Sequence, residues 1–263
     1  MPPLPSETGT KLVVAALAAI IWFALLGYRD LIEPDEGRYA EIPREMVASG
    51  DWVTPRLNDF KYFEKPALQY WMTAISFKLF GESNASARLW TALIGFVCGL
   101  FIWYLGAKLF NPEAGFYGFI ITISGLLFVG LGHYLTLDMG VSAFMVLGVG
   151  SLALAQSRRD DPVHVRNWML LGWSMLAGAV LTKGLIGVVL PGGAVVLYSL
   201  WQRDWALWKN LHLFKGLLLF LLLTVPWFVA VSLANEEFAE FFFIHEHFDR
   251  YTTTAHQREG SIF

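Results

Sequence analysis

The sequence has few charged residues: Asp, Glu, Lys and Arg make up 16% of its 263 residues. A soluble globular domain usually carries about 25%, so this composition excludes an ordinary water-soluble fold. Hydrophobic residues reach 56%, and apolar runs recur at the length of about 20 residues that crosses roughly 30 Å of hydrocarbon. The composition therefore predicts an all-α fold, a polytopic helical membrane protein.

Three further absences exclude particular structural and functional classes. The chain has one cysteine, Cys98, inside an apolar run, which excludes an intrachain disulfide. The net charge of −3 and the absence of a basic patch exclude the usual signature of a nucleic-acid-binding protein. The sequence also has no internal repeat at a period of 20–50 residues, which excludes the common repeat architectures.

Seven apolar runs are long enough to be predicted as membrane spans. The first has no small-residue cleavage site after it, which favours a retained span over a signal peptide. Turn-forming or charged segments such as NPEAG and RRDDP separate several of the others. The predicted spans are about 11–28, 86–107, 114–131, 137–155, 167–182, 184–201 and 215–233.

Positively charged residues select the orientation of these spans, because short cytoplasmic loops are rich in Lys and Arg. With seven spans, Lys108, Arg158, Lys209 and their basic neighbours fall on the same side of the membrane as the N-terminus. That side is therefore predicted to be cytoplasmic. The long loop 29–85 and the segment 234–263 then lie on the outer side.

An eighth apolar run lies within the long outer loop, at residues 66–81. Pro66 suits a first helical turn and Gly81 suits the position just after a helix end. About 15 helical residues make roughly 22 Å, which is short for a span, and Lys78 lies within the run. The pattern predicts a helix at the membrane interface.

The rest of the outer loop also contains helix signals. Asp35 suits the cap of a short helix that ends before Pro43, and a second short helix is predicted to end at Gly50. The chain from Gly50 to Pro66 is predicted to be extended.

Under this topology, charged residues from distant parts of the chain share the outer face. An acid beside hydrocarbon is costly and is by default a functional hypothesis, whereas Lys and Arg suit the binding of a phosphate headgroup. This outer face therefore predicts a site for a phosphate-bearing lipid. Its charged residues are Asp35, Glu36, Arg38, Glu64, Lys65, Asp138, Lys183, His245 and His247.

Each of these residues also has a structural alternative. Capping explains Asp35, Glu36 and Asp138, a solvated ion pair explains Glu64 and Lys65, and contact with lipid headgroups explains Lys183. A hydrogen-bonded packing role explains His245, which lies on an apolar helical stripe. A metal site would need acids from elsewhere, with Glu64 a candidate, since the chain has no H-E-x-x-H motif. The residues alone leave these alternatives open.

Five segments occur in an order that resembles one known family. They are EPDEGRYAEIPREMVASGDWVTPRLND, YFEKPALQYW, LTLDM, LTKG and FFIHEHF. They resemble the bacterial lipid A aminoarabinose transferases, GT-C membrane glycosyltransferases related to the protein O-mannosyltransferases. That family has about twice this length, so the resemblance implies that residues 1–263 are the N-terminal part of a GT-C transmembrane domain. The family's remaining spans and its C-terminal soluble domain are then absent.

The resemblance implies a function as well as a fold. It implies an inverting transfer of 4-amino-4-deoxy-L-arabinose from undecaprenyl phosphate to a lipid A phosphate. The reaction would take place on the periplasmic face of the bacterial inner membrane, with the N-terminus in the cytoplasm, and would serve the lipopolysaccharide modification linked to polymyxin resistance. Residues 1–263 alone are expected to be inactive.

The resemblance also implies roles for individual residues. Asp35 is implied as the catalytic acid of the first outer loop, and Asp138 as a second acid near the site. Arg38, Lys65, Lys183 and Tyr62 are implied as ligands of the donor phosphate. Glu64 and His245 are implied as a pair that holds a zinc ion.

Two alternative functions remain at this point. One is the transfer of a different polyprenyl-phosphate-linked sugar, or transfer to a different acceptor. The other is transport of a lipid-linked sugar, which would call for broken helices with polar groups near the bilayer midplane. The predicted clustering of charge at one face favours an enzyme.

Overall fold

The computed structural model describes residues 7–249, with side chains described for residues 8–244. The described chain is mostly helical, with one two-stranded hairpin, so the predicted all-α class is confirmed. In chain order the elements are α1 (Glu7–Ala24), α2 (Asp35–Ser49), β1 (Arg56–Leu57), β2 (Phe60–Lys61), α3 (Leu68–Phe80), α4 (Asn84–Leu109), α5 (Pro112–Ser124), α6 (Leu126–Gly132), α7 (Asp138–Gln156), α8 (Pro162–Lys183), α9 (Ile186–Gln202), α10 (Ala206–Lys209), α11 (Leu213–Ala234) and a π-helical segment (Glu240–Asp249).

Local sequence signals set the starts of several long helices. Ser83 forms a reciprocal capping box with Ser86 at the start of α4. Asn111 and Asp161 accept hydrogen bonds from backbone N–H groups in the first turns of α5 and α8. In both cases the next residue is proline, which suits the first helical position.

The helices coincide with the seven predicted spans, but their lengths differ. In the described chain, α4, α7 and α11 are long and apolar enough to cross a membrane, and α1 and α9 are shorter apolar helices. The predicted span 114–131 is not straight, because α5 and α6 meet at a bend of 65°. Gly125 between them has extended backbone angles, which end α5. The count of seven spans therefore remains a prediction.

The predicted break at Pro43 is wrong. A single helix, α2, runs through Pro43 to Ser49, although an internal proline costs about 3 kcal/mol. Burial of Tyr39, Ile42 and Met46 on one side of α2 offsets this cost. The predicted end is correct: Gly50 has a φ of 75° and donates its N–H to the Met46 carbonyl.

The predicted capping role of Asp35 is also wrong. Pro34 occupies the cap position and Asp35 is the first residue of α2. Proline has no side-chain oxygen, so the start of α2 lacks a side-chain cap hydrogen bond. The carboxylate of Asp35 therefore makes no capping hydrogen bond to α2.

The segment predicted to be extended contains a short hairpin. Strands β1 and β2 pair antiparallel, and Asn58 and Asp59 between them have φ of 53° and 66°. Such left-handed pairs match the twist of a two-residue hairpin turn, which favours Asn and Asp. The chain then passes directly into α3, which lies within the predicted helical run 66–81.

We call the end of the bundle that carries α2, the hairpin and α3 the site end. Here Tyr39 and Ile42 of α2 pack with Tyr70 of α3 and with Leu135 and Leu137 of the turn before α7. This apolar cluster fixes the outer loop on the bundle. The loop is therefore a packed layer and not a flexible linker.

A buried ion cluster crosses the same region. Glu36 of α2 and Arg88 of α4 have side chains that are 0% and 1% exposed. Arg88 Nε donates to Glu36 Oε1 at 2.7 Å, and Arg29 Nη1 donates to Glu36 Oε2 at 2.5 Å. The backbone N–H groups of Ile32 and Leu135 donate to the same carboxylate at 2.9 Å. Glu36 therefore has a structural role.

The cluster satisfies all five N–H groups of Arg88. Two donate to Glu36, and the other three donate to the backbone carbonyls of Leu26, Arg29 and Asp30. The guanidinium thereby joins α4 to the chain that leaves α1 and to the start of α2. A buried charge with complete hydrogen bonding avoids the large cost of burying an unpaired one.

Burial and hydrogen bonding act in opposite directions on Glu36. Burial raises the pKa of a carboxyl, but the hydrogen bonds from Arg88, Arg29, Leu135 and Ile32 outweigh it. Together they lower the pKa of Glu36 from 4.5 to about 2. The carboxylate is therefore ionised at neutral pH.

We predict that Glu36→Gln lowers the free energy of unfolding by about 3–5 kcal/mol, because it leaves two arginines without their counter-charge. Glu41→Gln is the matched control: Glu41 pairs with Arg44 at a partly exposed position on the same helix, and such a pair is worth about 0–1 kcal/mol. Thermal unfolding of both purified variants measures the difference. Equal losses of stability would contradict the assignment.

Candidate functional site

The site is built from residues that the folded chain brings to the site end from four elements. Asp35 and Arg38 lie on α2, and Asp138 begins α7. The segment between β2 and α3 carries Tyr62, Glu64 and Lys65, and Lys183 ends α8. Several of these groups bond directly to one another.

Asp35 is the accessible one of the two neighbouring acids at the start of α2. Its side chain is 48% exposed, whereas that of its neighbour Glu36 is 0% exposed. Successive helical residues point about 100° apart, which separates the two carboxylates. Arg38, one turn further along α2, has its Nη2 3.8 Å from Asp35 Oδ1. Asp35 is therefore available to a ligand beside a guanidinium.

A chain of hydrogen bonds leads from α2 to the segment before α3. Arg38 Nη1 donates to the Tyr62 hydroxyl at 3.3 Å, and that hydroxyl donates to Glu64 Oε2 at 2.9 Å. The Tyr62 contact raises the pKa of Arg38, and burial raises the pKa of Tyr62. At neutral pH the chain therefore runs from a cation through a neutral phenol to a carboxylate.

Lys65 follows this chain directly. Its Nζ donates to the backbone carbonyl of Glu64 at 2.9 Å. Pro66 restricts the backbone just after Lys65, and α3 begins two residues later. Lys65 therefore lies in the same short segment as Tyr62 and Glu64, with its ammonium group bonded to that segment's backbone.

Asp138 and Lys183 form an ion pair between the first residue of α7 and the last residue of α8. Their side chains are 45% and 28% exposed. The sequence predicts that both groups share one face, and in the structure they are in contact. Because both are partly exposed, an anionic ligand can compete with Asp138 for Lys183.

Tyr39 connects these groups and was missed by the sequence analysis. Its ring stacks on Tyr70 with 6.2 Å between centroids. Burial is the largest cause that raises the pKa of Tyr39; Arg38 lowers it, and Asp35, Glu64 and Asp138 raise it, to a net value of about 12. The charges of three acids from three parts of the chain therefore act on one phenol. The available signal was its position beside Arg38, in the charged segment.

The predicted zinc pair remains a prediction. Glu64 lies in the site, but the side chain of His245 lies outside the described residues, as does that of His247. Among the side chains that are described, no three His, Cys, Asp or Glu residues lie together as a metal site. We therefore assign no chemical step to a metal.

The arrangement is suited to a phosphate ester. Arg38, Lys65 and Lys183 offer positive charge and hydrogen-bond donors of the kind that bind phosphate. Asp35 lies beside Arg38 with its carboxylate open to solvent. The site therefore offers cations for a phosphate group and, at Asp35, a solvent-exposed carboxylate that can contact a second reactant.

The family model for dolichyl-phosphate-mannose-protein mannosyltransferase matches residues 9–242. The chain is 32% identical over 259 residues to the undecaprenyl phosphate-alpha-4-amino-4-deoxy-L-arabinose arabinosyl transferase of Erwinia tasmaniensis, covering 97% of this chain and 46% of that protein. It is 33% identical over 252 residues to the protein of the same name from Shewanella sediminis, covering 94% and 45%. The chain therefore spans about half the length of the curated relatives it matches.

Solved structures give the same result. The crystal structure of ArnT from Cupriavidus metallidurans bound to undecaprenyl phosphate superposes with a TM-score of 0.91 at 42% identity. The match covers 94% of this chain and 46% of that one. The apo structure of the same protein gives a TM-score of 0.87. These matches confirm the resemblance and the GT-C-like helical fold.

Proposed function

The chain belongs to the dolichyl-phosphate-mannose-protein mannosyltransferase family, and we propose that it is part of an inverting membrane glycosyltransferase. The proposed reaction moves 4-amino-4-deoxy-L-arabinose from undecaprenyl phosphate to a phosphate of lipid A. One observation carries the proposal: the exposed carboxylate of Asp35 lies beside Arg38, with Lys65 and Lys183 at the same end of the bundle.

The leaving group of this reaction explains the cations. When the glycosidic bond breaks, the lipid phosphate leaves with increasing negative charge. Arg38, Lys65 and Lys183 are placed to stabilise that charge, and removal of one such contact typically costs about 10²–10³ in rate. Tyr62 supports this set because its hydroxyl accepts a hydrogen bond from Arg38.

The acceptor explains why the reaction needs no strong general base. A phosphate monoester has a second pKa near 6, so it is already a nucleophile at neutral pH. Asp35 then positions the acceptor or stabilises positive charge at the anomeric carbon of the sugar. Asp138 has a supporting role through Lys183, with which it forms an ion pair.

The proposed location is the periplasmic face of the bacterial inner membrane. The basic residues of the opposite end support it, since Lys108 and Arg159 lie in or beside short loops there and such loops are cytoplasmic. The N-terminus would then also be cytoplasmic.

Transfer of another polyprenyl-phosphate-linked sugar, or transfer to another acceptor, remains the alternative within the family. The cations described above bind the lipid phosphate and do not read the sugar. A transporter is disfavoured because residues 114–132, which include the bend between α5 and α6, contain no charged residue, and the hydroxyls of Thr122 and Ser124 donate to backbone carbonyls of their own helix. A broken transporter helix usually presents polar groups to a substrate.

Zinc forms a separate part of the proposal, with Glu64 and His245 as its ligands. We expect elemental analysis of the purified natural protein to find zinc, and the Glu64→Gln variant to contain less. Metal-free protein from zinc-supplemented cells would end this part of the proposal and leave the glycosyltransferase assignment intact.

We predict that Asp35→Asn lowers transfer at least about 10²–10³-fold without loss of folding, because the Asp35 side chain is half exposed and does not cap α2. Asp59→Asn, in the exposed turn of the hairpin, is the control and should retain activity. Mass spectrometry of lipid A from cells that depend on each variant measures the added sugar. Near-normal modification with Asp35→Asn would refute the assignment.

A further inference from the structure

A long apolar groove runs along the outside of the bundle between α1 and the bent pair α5–α6. Its volume is about 1020 Å³, which is at the upper end of the range for small-molecule sites. Ile21 of α1 and Leu25 just after it form one wall, and Ile123, Leu127 and Gly130 form the other. The groove therefore has the size and polarity for a hydrocarbon chain.

The bend between α5 and α6 shapes this groove. Gly125 ends α5, and α6 leaves at 65°. Gly132 then allows α6 to approach Trp22, whose ring would lie 2.5 Å from a Cβ at that position. Gly130, in contrast, faces open space, with no atom within 4 Å of such a Cβ. Helix α6 therefore packs closely against Trp22 at Gly132, whereas at Gly130 it faces the open groove.

The groove ends at a cation. Arg29 lines it and has a side chain that is 26% exposed. Within the described part of the chain, three of its N–H groups donate, to Asp30, Glu36 and His133. An arginine has five N–H groups, so two remain for a ligand. The cluster of Arg29, Arg88 and Glu36 contains two guanidinium groups and one carboxylate, so it has one positive charge in excess.

His133 lies at the same end of the groove. Its Nδ1 and Nε2 face the backbone carbonyls of Val129 and Trp22 at 2.8 and 2.7 Å. These contacts join α1 to α6 beside Arg29, which donates to the His133 backbone carbonyl.

The groove end also adjoins the reactive acid. Tyr134 lines the groove, and the Arg29 guanidinium lies 5.8 Å from the centre of its ring. Arg29 Nη1 also donates to Glu36, the residue that follows Asp35 on α2. A phosphate bound at Arg29 would therefore lie near the start of α2, where Asp35 lies.

We propose that the groove between α1 and α5–α6 holds an acyl chain of the acceptor lipid, while Arg29 binds the acceptor phosphate beside Asp35. This inference rests on the proposed function and adds the route by which the acceptor reaches the site. The donor phosphate has its own proposed cations in Arg38, Lys65 and Lys183, so the two phosphates would bind to different residues.

The test uses Gly130→Leu in the natural protein, which puts a side chain into the groove without a clash. Gly193→Leu is the matched control, since Gly193 also faces open space and lies on α9, away from the groove. We expect Gly130→Leu to raise the KM for lipid A at least about tenfold, the scale of filling an apolar pocket. The KM for the donor should not change, and Gly193→Leu should match the natural protein in both constants.

Ile21→Trp fills the groove from the α1 wall and serves as a second variant, with thermal unfolding to verify that each variant is folded. If the natural protein transfers sugar and both groove variants keep the acceptor KM of Gly193→Leu, the groove assignment is overturned. If the natural protein transfers no sugar to lipid A, the proposed function itself fails. The two failures are therefore distinguishable.

Discussion

The buried cluster of Glu36, Arg29 and Arg88 is the interaction on which the site end depends. Through one carboxylate and two guanidiniums, it ties the end of α1 and the start of α2 to α4 and to the turn before α7. Because Glu36 is locked inward, the adjacent Asp35 points outward into the site. Two neighbouring acids thus have different roles, one structural and one proposed to be chemical.

The site end gathers opposite charges in an order that suits two phosphate-bearing lipids. One set of cations, Arg38, Lys65 and Lys183, is proposed to receive the donor. Arg29 is part of the structural cluster, and two of its N–H groups are proposed to bind the acceptor. The same arginine therefore links the stability of the fold to the proposed route of the second substrate.

The sequence predicted the helical class and placed Asp138 and Lys183 on one face, because apolar run lengths and basic loops constrain which groups share a membrane face. It did not predict the pairing of Glu36 with Arg88, 52 residues away. No local pattern encodes such a contact. The sequence predicted a helix break at Pro43, but burial of the α2 side chains outweighs the cost of an internal proline. It did not predict the bend at Gly125, because an apolar run gives the length of a span and not the direction of its helix.

The pH dependence of stability tests the structural cluster most directly. The pKa of Glu36 is lowered from 4.5 to about 2, so its contribution is complete above about pH 4.5 and is lost as the pH falls toward 2. Unfolding free energies of the natural protein and of Glu36→Gln should therefore differ most near neutral pH and converge toward pH 2. A difference that stays constant across this range would contradict an ionised Glu36 held by two arginines.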